Sequence, residues 1–288
     1  MKKGLCVFLS VLLLFLLSSC AVNMFVGDFK NDSSLEDVFE NHKLVVGMEY
    51  DFNPMGTLNP ETGEAYGFDV DLARIVAGRL GVEAEFVYVP WMDDILSLKH
   101  SRANCIWNGF QKTPERESIY ALSIPYIRDR QVFMIRKETA YKSLYQLTSK
   151  PLGVIDPSAG KYAMNNTSNQ NFRNSIPSII DLVTYKQGIE FLDLGIIDAL
   201  LSDEVVAKYY INENPEKYKL LNENSEDAYI STMEVTVAFR RRDNRLKAEI
   251  NRILFDLSSE GIIKQLCYEW FGENLEMIPS SAKSIKSI

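Results

Sequence analysis

From Lys43 onward the chain alternates short apolar runs with longer amphipathic ones, the pattern of a layered α/β fold with a largely parallel sheet. Leu44-Val45-Val46-Gly47 reads as a first buried strand. Positions 69–80 then carry Leu72, Ile75, Val76 and Leu80 at helical spacing, with carboxylates in the first turn and Gly81 as a stop. Strands are expected at 86–89 and 104–107, with a short helix of acidic start at 93–98 between them. Residues 132–135 are strand-like, and a second series follows: a strand at 152–155, a helix from 186 to 194 stopped by Gly195, and a strand at 197–201. Positions 234–239 are strongly β-forming. Helices then follow at 243–258, with Leu246, Ile250, Ile253 and Leu257 on one face, and at 261–271.

The first 41 residues fall outside this alternation. Lys2 and Lys3 precede an apolar run over 5–17 that is too short to span a membrane comfortably, and small residues lead to Cys20, as in an export signal. Leu17-Ser18-Ser19-Cys20 resembles the lipobox of bacterial lipoproteins, which implies a signal peptide at 1–19 and an acylated Cys20. The alternative is an ordinary signal peptide with an incidental cysteine. Residues 20–41 would be a lipidated tether, polar at Asn31-Asp32-Ser33-Ser34, with at most a short helical turn over 35–39. More than one acyl chain holds such a protein stably at a membrane, so the folded part is expected outside the cytoplasm, lipid-anchored. Residues 279–288 read as a C-terminal tail.

Of the 288 residues, enough remain after the leader for two α/β lobes or one large domain. The formal charge of −8 argues against a nucleic-acid partner, and Arg240-Arg241-Arg242 reads as a solvated turn. With Cys6 in the leader and Cys20 at the anchor, Cys105 and Cys267 remain. An export compartment permits a disulfide between them, whereas their apolar surroundings favour two buried thiols. His42 and His100 are not spaced as metal ligands, and no phosphate-cradling, dinucleotide or nucleophile-elbow motif occurs, so neither cofactor nor catalysis is indicated.

Polar groups do gather where open α/β sheets bind ligands, at the carboxyl ends of strands. They are Glu49 and Phe52 after the first strand, Trp91 after the second, Gly109 to Arg116 after the third, Ser158 to Gly160 after 152–155, and Asp203 after 197–201. An arginine, a carboxylate, hydroxyl and backbone donors and two aromatics suit a zwitterion. Taken alone, Arg116 could equally be a solvated charge, Phe52 and Trp91 core packing, and Glu49 a solvated strand end.

Five blocks together carry a resemblance. Gly67-Phe68-Asp69-Val70-Asp71-Leu72-Ala73, Asn108-Gly109-Phe110-Gln111-Lys112-Thr113-Pro114-Glu115-Arg116, Ser123-Ile124-Pro125-Tyr126, Gly195-Ile196-Ile197-Asp198-Ala199 with Asp203, and Glu269-Trp270-Phe271-Gly272 resemble the solute-binding proteins of polar amino acid ABC transporters. The resemblance implies a two-lobed type II periplasmic-binding-protein fold, with lobe 1 at 42–135 and 236–278, lobe 2 at 136–235, and crossing segments near 135–138 and 231–236. It implies that Arg116 binds an α-carboxylate, helped by Thr113, Ser158, Ala159 and the start of the following helix. Asp203 and the carbonyl of Gly109 would hold the ammonium, and Gln111 stands where Ser or Thr is usual. Phe52 and Trp91 would wall the side-chain pocket, and Glu49 would meet the ligand's distal polar group.

The implied function is capture of a polar L-amino acid, of the glutamine, cystine or basic class, by a monomer that delivers it to a membrane permease. Two departures stand out: Asn104 replaces a common Asp, and Pro157 replaces a common Gly and removes a backbone donor. Asp69 and Asp71 are expected to cap their helix rather than touch ligand. The rival functions are an exported cyclohexadienyl or arogenate dehydratase on the same scaffold, and an amino acid sensor for a membrane signalling partner.

Overall fold

The computed structural model describes residues 31–278 except 50, 60, 63, 91–97, 101 and 223–228. The expected leader, Cys20, Trp91, residues 93–97 of the helix expected at 93–98 and the expected C-terminal tail therefore lie outside the described residues.

The main strands are β1 (Lys43–Met48), β2 (Glu83–Tyr88), β3 (Cys105–Gln111), β4 (Ile127–Arg136), β5 (Leu152–Ile155), β6 (Ile179–Leu182), β7 (Ala199–Asp203) and β8 (Tyr229–Phe239). They form one sheet in the order β6-β5-β7-β4-β8-β3-β1-β2. Around β1, the strands β2 and β3 run parallel; around β5, so do β6 and β7. Among the described residues, strand pairing joins the two parallel sets only through the long antiparallel pair β4 and β8. β4 changes partner at Gln131, which lies opposite Ser231 on one edge and Asp203 on the other.

The principal helices are α1 (Ser34–Glu40), α2 (Phe68–Leu80), α3 (Pro114–Ile119), α4 (Ala159–Asn165), α5 (Tyr185–Asp193), α6 (Glu204–Glu213), α7 (Asn244–Ser259) and α8 (Ile262–Phe271). Parallel strands need both faces covered, and β3 is accordingly buried along its whole length. Leu72 and Val76 of α2 and Leu246, Ile250, Ile253 and Leu257 of α7 are fully buried in the core under the first set. Cys105 and Cys267 are buried free thiols, as the apolar sequence around them favoured.

Several segments differ from the sequence expectation: β8 begins at Tyr229 rather than 234, β7 lies at Ala199–Asp203 rather than 197–201, and β6 and α6 are additional elements. β4 begins at Ile127 rather than 132, because Asp129 and Gln131 point inward at the two-residue spacing of a strand while Arg128 faces solvent. Residues 34–40, expected in the tether, form α1 and bury Val38 completely. The residues at its start also serve as the cap of α7, far along the chain. Asp32 accepts from the backbone N–H of Arg245 at 2.7 Å and of Ser34 at 3.0 Å, and the Ser34 hydroxyl accepts from Leu246 N–H at 3.2 Å. The side chain of Asp243, the residue preceding α7, makes no cap bond of its own. Burial opposes the charge on Asp32, but these donors hold its pKa below the ordinary carboxylate range.

Asp32→Ala is expected to remove about 1 kcal/mol of stability, the usual contribution of a helix cap, measured as a lowered urea midpoint at neutral pH. Since the folded pKa is depressed, the contribution is present above the ordinary Asp value and fades as pH falls through the folded one. An unchanged midpoint at neutral pH would contradict the cap.

Candidate functional site

The carboxyl ends of the two parallel sets face a cavity of about 320 Å³. Glu49 beyond β1, Phe52 in the short strand Asp51–Phe52, Gly109 and Gln111 of β3 and Arg116 of α3 line it from one side. Ser158 and Ala159 at the start of α4 and Asp203 at the end of β7 line it from the other. Thr113 does not line it. Its hydroxyl caps α3 by accepting from Arg116 N–H at 3.2 Å, and Pro114 occupies the first turn, so Thr113 sets the backbone from which Arg116 projects.

The Arg116 guanidinium is aimed by two neighbours. It donates to the carbonyl of Gln111 at 2.6 Å and lies 4.4 Å over the ring of Phe110. Gly109 has a φ of +60°, and a Cβ there would come 2.4 Å from the Phe52 ring, so glycine lets the aromatic close against the loop. The N–H of Gly109 donates to Asp69 at 2.5 Å, and the Tyr126 hydroxyl donates to the same carboxylate at 2.7 Å.

This corrects the capping role expected for Asp69 and Asp71. The residue preceding α2 is Gly67, with no side-chain cap; Asp69 is buried and reaches across to Gly109, while Asp71 accepts from the Trp270 indole at 3.0 Å. Burial pushes the Asp69 carboxyl up to about 7, against the pull of Gly109 and Tyr126.

Asp203 is buried and held on both oxygens. Gln111 Nε2 donates to Oδ1 at 2.6 Å, Gln131 Nε2 donates to the same oxygen, and the Tyr185 hydroxyl donates to Oδ2 at 2.9 Å. Gln131 also donates to Gln111 Oε1 at 3.1 Å, so the two amides and the carboxylate form one network drawn from β3, β4 and β7. A Cβ at residue 160 would lie 2.7 Å from Gln131 Oε1, so Gly160 lets α4 pack close to this network. Burial raises the Asp203 pKa above the ordinary range, while Gln131, Tyr185, Gln111 and the Arg116 charge pull it back. Asp129, two residues before Gln131 on β4, is raised well above its ordinary value, first by burial and then by the charge of Asp203.

The neighbouring Glu204 takes both a 2.5 Å bond from Arg130 Nε and one of 2.5 Å from its Nη2. Ser158 caps α4 by accepting from Lys161 N–H at 3.0 Å, so Pro157 leaves the start of this helix intact.

Sequence reasoning missed Tyr185 and Gln131. Tyr185 opens α5 just after β6, a strand-end position open to detection, and its ring stacks on Phe52 at 5.7 Å. Gln131 gave no signal, because a buried glutamine inside a strand reads as a break in the apolar pattern. Asp51, Tyr88, Asp156 and Thr184 also line the cavity. Among the described residues no group of His, Cys, Asp and Glu is arranged to hold a metal ion.

Comparison with known proteins places the chain in a family. The family model described as bacterial extracellular solute-binding proteins, family 3, matches residues 44–273. The chain is 27% identical over 276 residues to the ABC transporter glutamine-binding protein GlnH of Bacillus subtilis, covering 92% of this chain and 96% of the relative. It is 25% identical over 257 residues to the L-cystine-binding protein TcyJ of Escherichia coli, covering 88% and 91%. Among solved structures, it is similar to an ABC uptake transporter substrate-binding protein from Streptococcus pneumoniae with bound histidine, at a TM-score of 0.77 and 25% identity, covering 86% and 99%. It is also similar to Tv2483 bound to L-arginine, at a TM-score of 0.76 and 28% identity, covering 86% and 98%.

Asp129 and Asp203 both have folded pKa values raised above the ordinary 3.8, so their contribution to stability is complete below that value and is lost as pH rises through the folded ones. The ligand-free protein is expected to lose stability as pH climbs from 3.8, with a shallower decline in Asp129→Asn. Chemical denaturation at a series of pH values checks this, and an identical slope in the variant would contradict it.

Proposed function

Because the chain belongs to the bacterial extracellular solute-binding proteins, family 3, we propose that it captures a polar L-amino acid outside the cytoplasm and delivers it to the permease of an ABC transporter. The observation that carries this reading is the placement of Arg116 and Asp203 on opposite sides of one cavity. A guanidinium fork matches an α-carboxylate, and a buried carboxylate matches an α-ammonium. A ligand lacking either group leaves one of them desolvated without its counter-charge, which sets the class of ligand accepted. The glutamine, cystine and basic amino acids are the candidates.

Closure follows from the sheet. The lobes on this reading are the two parallel sets with their helices, hinged where β4 exchanges β8 for β7 at Gln131. The bond from Gln111 to Asp203 and the stack of Phe52 on Tyr185 are contacts between the lobes, beside the cavity. A ligand gripped by Arg116 and Asp203 adds a bridge and shifts the population toward the closed form. No bond is made or broken in this cycle, so the protein is a receptor rather than an enzyme. It acts as a monomer anchored through lipid on Cys20, with the export signal removed.

Arg116→Ala is expected to remove about 3–5 kcal/mol of binding free energy for the preferred amino acid, the cost of burying a charge without its partner, with little change in melting temperature. Near-normal affinity by calorimetry would contradict the carboxylate clamp. Cys20→Ser is expected to shift the protein from the membrane fraction to the soluble one; continued incorporation of labelled fatty acid would contradict the anchor.

A further inference from the structure

A basic groove of about 500 Å³ runs between α7 and residues 120–125, apart from the amino acid cavity. Asn244, Lys247 and Asn251 line it from α7 at the spacing of one helix face, and Arg241 lines it from the turn before. Asn251 Oδ1 accepts from Ile124 N–H at 2.9 Å, which ties the two walls together. Cations outnumber acids here, with Arg241, Lys247 and Lys112 against Glu117, in a chain of formal charge −8. Lys112 is held by Glu117 at 3.2 Å and Glu234 at 3.5 Å. Lys247 is half-buried, and among the described residues its ammonium has no hydrogen bond and no ion pair; burial alone holds its pKa below the ordinary lysine value. Arg241 commits one guanidinium nitrogen to the carbonyls of Ser118 at 2.6 Å and Glu117 at 3.3 Å, which fixes the fork and leaves its other donors uncommitted among the described residues. An ammonium without a counter-charge beside a held guanidinium gains from an anion, and phosphate oxygens match both donors.

The place of the groove selects the anion. Asp32 accepts from the N–H of Arg245, and Arg245 Nη1 reaches back to the Asp32 carbonyl at 3.4 Å, so the N-terminal segment meets the fold at the same turn of α7 that carries Asn244 and Lys247. The acids on that flank are paired, Glu36 with Arg245 and Asp243 with Arg240 at 2.5 Å, while Arg242 is 81% exposed and adds positive charge next to Arg241. Residues 21–30 separate Cys20 from Asn31, at most roughly 40 Å of extended chain. With lipid on Cys20, this turn is confined to the layer beside the headgroups, where basic clusters meet anionic lipid. We infer that the groove receives the phosphodiester of an anionic phospholipid headgroup on Lys247 and Arg241, with Asn244 and Asn251 beside it, so that the receptor rests on the membrane by this face. The inference rests on the lipid-anchor reading above and deepens it. A choline headgroup would bring its own cation against Arg241 and Lys247, whereas a glycerol headgroup leaves the phosphate charge for them alone.

The test is lysine acetylation, read by mass spectrometry, on the mature lipoprotein inserted into vesicles of phosphatidylcholine, of phosphatidylcholine with phosphatidylglycerol, or of phosphatidylcholine with added inorganic phosphate. Flotation of the protein with the vesicles is scored in the same samples. Phosphatidylglycerol is expected to slow acetylation of Lys247 about fivefold relative to phosphatidylcholine, the effect of one basic residue at an anionic surface, while Lys186, exposed on α5, reacts alike in both. Arg241→Gln is expected to remove most of that protection with the melting temperature unchanged. Equal acetylation of Lys247 in the two lipids, or undiminished protection in the variant, would overturn the inference. Protection by inorganic phosphate as strong as that by phosphatidylglycerol would overturn it too and make the groove a site for the free anion. Protein that floats without lipid-specific protection leaves the anchor standing. Protein that fails to float removes anchor and inference together, and amino acid capture is then judged by Arg116→Ala alone.

Discussion

The carboxylate of Asp203 is buried at the edge of the cavity, and a charge in that position costs several kcal/mol unless donors surround it. Its donors come from three separate elements: Gln111 on β3, Gln131 on β4 and Tyr185 on α5. Each then constrains its own surroundings. Gln131 packs against Gly160, Tyr185 brings its ring against Phe52, and Phe52 in turn closes on Gly109, whose positive φ favours glycine. Gly109 is tied by its N–H to Asp69, which Tyr126 holds in place. A line of contacts thus runs from the end of β7 to the first turn of α2, and the site has little freedom to relax when one member is changed.

The same network stands at the junction of the two parallel sets. Among the described residues, the two parallel sets have no strand pairing with each other except through β4 and β8. Gln131 sits at the exchange point and bonds to residues of both sets. Asp203 is thus bonded to the residue at which β4 lies between β7 and β8. The opposite wall is prepared differently: Arg116 is fixed by the Gln111 carbonyl and the Phe110 ring, so little side-chain entropy remains to be lost when an anion docks.

Much of this was legible in the sequence wherever one physical signal dominated. The helix at 68–80, the strand at 152–155 and the helix at 244–259 follow from clean apolar periodicity and stop signals. Arg116 and Asp203 were legible because they follow strands in an alternating α/β pattern. What escaped depends on partners remote in the chain. Asp32 caps a helix that begins more than two hundred residues later, so 31–34 reads as a polar linker until that helix is in place. Asp69 sits where capping residues sit, yet its bond is to Gly109. Asp129 and Gln131 are polar residues on the inward face of a strand, and a hydrophobic pattern records them as its interruption.

The most direct test of the central claim is thermal denaturation of the protein in the presence of each proteinogenic L-amino acid, cystine and prephenate, since a ligand held only by the folded state raises its melting temperature. A rise with one or a few polar amino acids, and none with prephenate, is the predicted result. A rise with prephenate alone would contradict the account and point to dehydratase chemistry in the cleft, and an unmoved melting temperature with every amino acid would contradict it as well.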